Sequence, residues 1–105
     1  MSTANNGGIS ASTLNFPQGI YSDGTNLFVS DASNNRVLIW NSIPTASGTA
    51  ATGVFGQPDF VASSANSGGY SATSLYAPYG LTGDGTKLFI GDINNYRILV
   101  TPMPN

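Results

Sequence analysis

Apolar and polar positions alternate with the period of strands along much of this chain, in short runs interrupted by Gly, Asn, Asp and Pro. Gly19–Tyr21 and Asn26–Asp31 read as two strands. The Asp23-Gly24 pair between them predicts a tight hairpin, because both residue types tolerate positive φ. A turn over Ala32–Asn35 leads to Arg36–Trp40, a β-branched run apolar enough to be covered on both faces. After the Pro44–Thr52 loop, Gly53–Gln57 is short and flanked by Pro58, as an outer strand should be. The pattern predicts a four-stranded meander, and since no segment carries helical periodicity it predicts essentially no helix.

The meander recurs. Shifted by 61 residues, Ala4-Asn5-Asn6-Gly7-Gly8 returns as Ala65-Asn66-Ser67-Gly68-Gly69, and Pro17-Gln18-Gly19 as Pro78-Tyr79-Gly80. Asp23-Gly24-Thr25 returns as Asp84-Gly85-Thr86, Leu27-Phe28 as Leu88-Phe89, and Asp31, Asn34 and Arg36 as Asp92, Asn95 and Arg97. About half of the aligned positions are identical, which marks a duplicated supersecondary unit. The second copy predicts strands near Tyr79–Thr82, Lys87–Asp92 and Arg97–Thr101, then stops before an equivalent of the fourth; Pro102 and Pro104 would blunt the edge so left. The expected division is residues 1–62 for the first unit and 63–105 for the second.

Composition narrows the chemistry. The 105 residues include no Cys and no His, which removes disulfides, thiol nucleophiles, imidazole bases and most transition-metal sites. Arg36, Lys87 and Arg97 are the only cations against five carboxylates, so nucleic acid and anionic membranes are poor partners. No charged-then-apolar leader and no membrane-length apolar run is evident. Hydrophobic content of 40% with 13 Gly is the composition of strands and turns rather than of a disordered coil, and it is compatible with a soluble, secreted or extracellular bacterial protein. No cofactor or metal is expected.

Pro17-Gln18-Gly19-Ile20, Asp23-Gly24, Leu27-Phe28-Val29-Ser30-Asp31 and Asn34-Asn35-Arg36-Val37 together resemble the NHL repeat. The second copy is similar through Pro78-Tyr79-Gly80-Leu81, Asp84-Gly85, Leu88–Asp92 and Asn95-Tyr96-Arg97-Ile98, departing from the pattern at Tyr96. The resemblance implies an all-β chain of two β-propeller blades, one four-stranded and one about three-stranded, of the kind that usually builds a six-bladed ring. Such a two-blade unit, whether natural, ancestral-like or engineered, leaves two apolar faces open, and three copies would close six blades as a C3 homotrimer. The expected function is that of a non-enzymatic scaffold. The alternative is a multivalent, lectin-like protein that binds a glycan or other small polar ligand at the channel mouth.

Candidate site residues follow from the loops. Asp31 with Arg36 and Asp92 with Arg97 are the recurring charge pairs; they would either bind a polar ligand or hold their turns, and recurrence at the same place in both copies favours the turn. Asn34, Asn35, Asn95 and Tyr96 fall at turn tips, where Asn suits left-handed backbone. Tyr70, Tyr76 and Tyr79, beside Asn66 and Gly68-Gly69, would stack on a sugar or wedge between blades, with packing favoured. Asp23 and Asp84 lack the alternating carboxylates of a calcium loop and read as turn residues. An enzyme would need Asp31 and Asp92 in one cleft, the least favoured reading.

Overall fold

The computed structural model describes residues 3–104 as an all-β chain of two antiparallel sheets. The first is a meander of β1 (Pro17–Ser22), β2 (Leu27–Asp31), β3 (Arg36–Trp40) and β4 (Gly53–Phe55), in sequential order. The second comprises β5 (Pro78–Gly83), β6 (Lys87–Asp92) and β7 (Arg97–Pro102). Among the described residues there is no α-helix; single 3-10 turns at Ala32–Asn34 and Ile93–Asn95 stand where plain turns were expected. The expected fourth strand is shorter, because Gly56 leaves the ladder at φ 97°.

The Asp-Gly hairpins differ from expectation in an instructive way. Gly24 and Gly85 adopt positive φ, but Asp23 and Asp84 do not. Each Asp instead uses its carboxylate to collect the amides two and three residues ahead: Thr25 and Asn26 at 2.9 and 2.7 Å, Thr86 and Lys87 at 2.9 and 2.8 Å. These are Asx-type turns four residues long, with the side chain standing in for a backbone acceptor.

Alternation along the strands sends Phe28, Val37 and Ile39 to one face of the first sheet and Val29, Leu38 and Trp40 to the other. The first face packs against Leu88, Ile90 and Leu99 of the second sheet and Leu75 of the connection that precedes it, forming the main core. At the inner edge the β1 and β5 backbones approach closely: the Ser30 hydroxyl accepts the Gly19 N–H at 2.7 Å and donates to the Tyr79 carbonyl.

Of the two faces expected to be open, one is largely closed. Val29, Leu38 and Trp40 are buried under Leu14, Ala51 and Phe60, because residues 3–14 run over the outward face of the first sheet and accept a hydrogen bond from the Ala51 amide at Ala11 (2.8 Å). The uncovered remainder lies along β1, where Ile20 is 67% exposed. The outward face of the second sheet is open. Ile98 is 68% and Val100 52% exposed, whereas their repeat equivalents Val37 and Ile39 are 0% and 3%.

Candidate functional site

The most highly organised polar cluster surrounds the turn between β2 and β3. Asp31 is fully buried at the end of β2. One carboxylate oxygen accepts the Asn15 amide at 2.7 Å; the other accepts Asn34 Nδ2 and Arg36 Nε, both at 2.8 Å. The Arg36 guanidinium, equally buried, then donates Nη1 to the Phe60 carbonyl at 2.7 Å and Nη2 to the Ser10 and Thr13 carbonyls at 2.9 Å. Asn34 completes the set by exchanging side-chain amide bonds with Asn5 at 2.8 and 2.9 Å. A buried ion pair is tolerable only when its remaining donors and acceptors are satisfied, as they are here.

The second copy rebuilds the cluster with fewer contacts. Asp92 accepts Tyr76 N, Asn95 Nδ2 and Arg97 Nε at 2.7 to 2.8 Å, and Asn95 exchanges amide bonds with Asn66. Arg97 Nη2 donates to the Ser74 carbonyl at 2.6 Å, but Nη1 has no hydrogen bond among the described residues. Its guanidinium lies 4.4 Å above the Tyr70 ring, a cation–π contact that leaves this side chain partly exposed.

The other candidate residues divide by what they touch. Asn35 donates Nδ2 to the Ser63 carbonyl and accepts the Ala77 amide, so it joins the two units. Asn35 and Tyr96, both at φ 54°, are the left-handed residues of the turns, whereas Asn34 and Asn95 are not. The first Asn of each pair therefore serves the carboxylate through its amide, a role that the turn reading did not assign. Tyr79 meets Phe16 edge to face at 6.3 Å. Tyr96 is 94% exposed and lines a hollow with Arg97 and Ile98, and Tyr70 is the ring under the Arg97 guanidinium.

Asn5 and Asn15 are cluster members to which the sequence reading gave no role, and Asn66, read there with the loop tyrosines, instead exchanges amide bonds with Asn95. The recurrence of Asn5-x-Gly7-Gly8 as Asn66-x-Gly68-Gly69 was the available signal for two of them, whereas Asn15 acts through its backbone amide, as its equivalent Tyr76 does, which no side-chain pattern marks. Asp31 and Asp92 occupy separate clusters, each with its own arginine. Among the described residues no group of three His, Cys, Asp or Glu could hold a metal ion. As built, the clusters fix loops to strand ends and expose no carboxylate for proton transfer. No protein-family model matches this chain, and a search of curated proteins finds no match.

Proposed function

We propose that this chain is a non-enzymatic structural and interaction module, a pair of NHL-like blades that assembles head to tail as a C3 homotrimer into a six-bladed propeller. The observation that carries this reading is the mismatch between equivalent faces. Phe28, Val37 and Ile39 of the first sheet are covered by the second sheet, while their equivalents Ile98 and Val100 face solvent and Phe89 is only half-buried. An apolar strand face left open in a soluble protein marks an interaction site. The complementary strip is Ile20 on β1, the equivalent of Leu81, which packs inside the chain against the first sheet. One chain's second sheet would then meet the next chain's first sheet along this β1 strip and over the loops that cover Val29 and Leu38, a heterologous contact that closes when six blades each turn by about 60°.

Size-exclusion chromatography with light scattering tests this. A trimer gives about 32 kDa, three times the 10.8 kDa chain. Ile98→Asp should return the mass to that of a single chain. A single-chain mass for the unaltered protein at high micromolar concentration overturns the reading.

A further inference from the structure

We infer that the seam between chains is specified by an aromatic pair, Tyr96 of one chain against Phe16 of the next, with residues 14–16 of the second copy seated in a hollow on the outward face of the second sheet. This contact rests on the head-to-tail assembly proposed above and names the residues that carry it.

The seam inside the chain supplies the template. There the turn of the first sheet meets the connection into β5: Asn35 Oδ1 accepts the Ala77 amide at 2.8 Å, and Leu75 packs in one cluster with Val37. Shifted forward by the 61-residue repeat, Asn35 and Val37 become Tyr96 and Ile98; shifted back, Leu75 and Ala77 become Leu14 and Phe16. The equivalent contact therefore joins the second unit of one chain to the first unit of another. Tyr96 and Ile98 line a hollow of about 460 Å³ with Gly91, Ile93 and Arg97. In the first sheet the equivalent residues Ser30, Ala32, Arg36 and Val37 are buried and Asn35 is half-buried.

Residue identity, rather than the openness of the face, marks the pair. Asn35 and Ala77 stand in left-handed backbone at φ 54° and 56°, and Tyr96 and Phe16 in the same backbone at 54° and 63°. Both positions of one contact have thus changed to an aromatic residue, in a conformation that costs such residues about 1–2 kcal/mol. Within the chain both rings are exposed, and Phe16 has only an edge-to-face contact with Tyr79. Tyr96 lacks the Oδ1 acceptor of Asn35, so ring against ring replaces the amide bond of the inner seam. A second pair changes in step. Inside the chain Tyr21 lies over Gly83, where an added Cβ would fall 2.7 Å from the ring. Its equivalents are Thr82 and Ser22, so a Cβ appears at that position only where the ring is gone. Two first units could not meet in this way, because Tyr21 would strike the Cβ of Ser22. One bond is not reproduced: the Ser30 hydroxyl donates to the Tyr79 carbonyl, and its equivalent Gly91 has no hydroxyl.

The test uses the full chain, Phe16→Ala, Tyr96→Ala and the double variant, with mass followed by light scattering over a dilution series. Both rings are exposed in the single chain, so all four proteins should stay folded when dilute. Each single substitution should raise the concentration at half-assembly about fivefold. The double substitution should raise it about as much as one alone, because either change already removes the contact. Effects that multiply in the double variant overturn the pair and leave the assembly standing. So does a shift with Tyr96→Ala and none with Phe16→Ala, which would set another surface against the hollow. A single-chain mass for the unaltered protein at high micromolar concentration overturns the assembly and the pair together.

Discussion

Gly19 faces the Tyr79 carbonyl so closely that a Cβ added at Gly19 would lie 2.5 Å from its oxygen and 3.1 Å from Leu81 Cβ. The glycine has ordinary negative-φ backbone; it is required by space, at the seam where β1 meets β5. Gly80, its repeat equivalent, has nothing within 4 Å. Gly19→Ala should destabilise the chain by about 1–3 kcal/mol through overpacking. Gly80→Ala should leave the melting of a dilute, single-chain sample unchanged, and if chains join as proposed it should weaken that association, because the added methyl would enter the equivalent seam with the next chain. Thermal unfolding at low concentration and mass at high concentration separate the two effects; equal loss of stability from both substitutions would contradict this assignment.

The two arginines should differ in what their removal costs. Arg36 donates to three carbonyls besides Asp31, whereas Arg97 donates to one and keeps contact with solvent. Arg36→Leu leaves a buried, uncompensated carboxylate and several orphaned carbonyls, a loss of about 3–5 kcal/mol and so a large part of the stability of a small protein. Arg97→Leu should cost clearly less. Urea unfolding of the two variants checks the order.

Tyr96 occupies left-handed backbone with its ring 94% exposed, so the strain is not offset by burial. Replacing it with Asn, the residue found at the equivalent Asn35, should stabilise the chain by about 1 kcal/mol and raise the melting temperature by several degrees. An unchanged or lower melting temperature would contradict this expectation.

Acid should loosen the two Asx turns. Amide hydrogen bonds from Thr86 and Lys87 hold Asp84 down at about 2, and those from Asn26 and Thr25 likewise lower Asp23. A carboxylate with a depressed value in the folded state contributes stability that is complete above its unfolded value near 4 and is lost as pH falls toward 2. Melting temperature should therefore decline between pH 4 and 2, and Asp84→Asn should make that decline shallower.

The strands were readable because alternation and turn residues act over a few neighbouring positions. Arg36–Trp40 and Lys87–Asp92 match their sequence readings residue for residue, and β5 and β7 differ only at their ends. The Asp and Arg pairs were readable as turn-holders because they recur at equal spacing. The bonding of Asn5 to Asn34 was not: the two lie 29 residues apart, and an asparagine beside glycines looks the same whether it bends the chain or pairs across it. The closing of the first sheet's outward face was also hidden. Residues 3–14 carry few large apolar side chains, so their position over Val29 and Leu38 follows from the distant carbonyls of Ser10 and Thr13 being drawn to Arg36.

That last arrangement ties the motions of loop and sheet together. Arg36 is satisfied only when segments 23 to 26 residues before it and 24 residues after it have both arrived, and Asp31 only when Asn15 is in place. Neither connection can lift away without uncovering a buried charge. The amide of Asn15, in a stretch with no regular structure, should then exchange its hydrogen with solvent as slowly as the strand amides beside it. The segments held by Arg36 and Asp31 should thus open with the unfolding of the sheet rather than with ordinary loop motion.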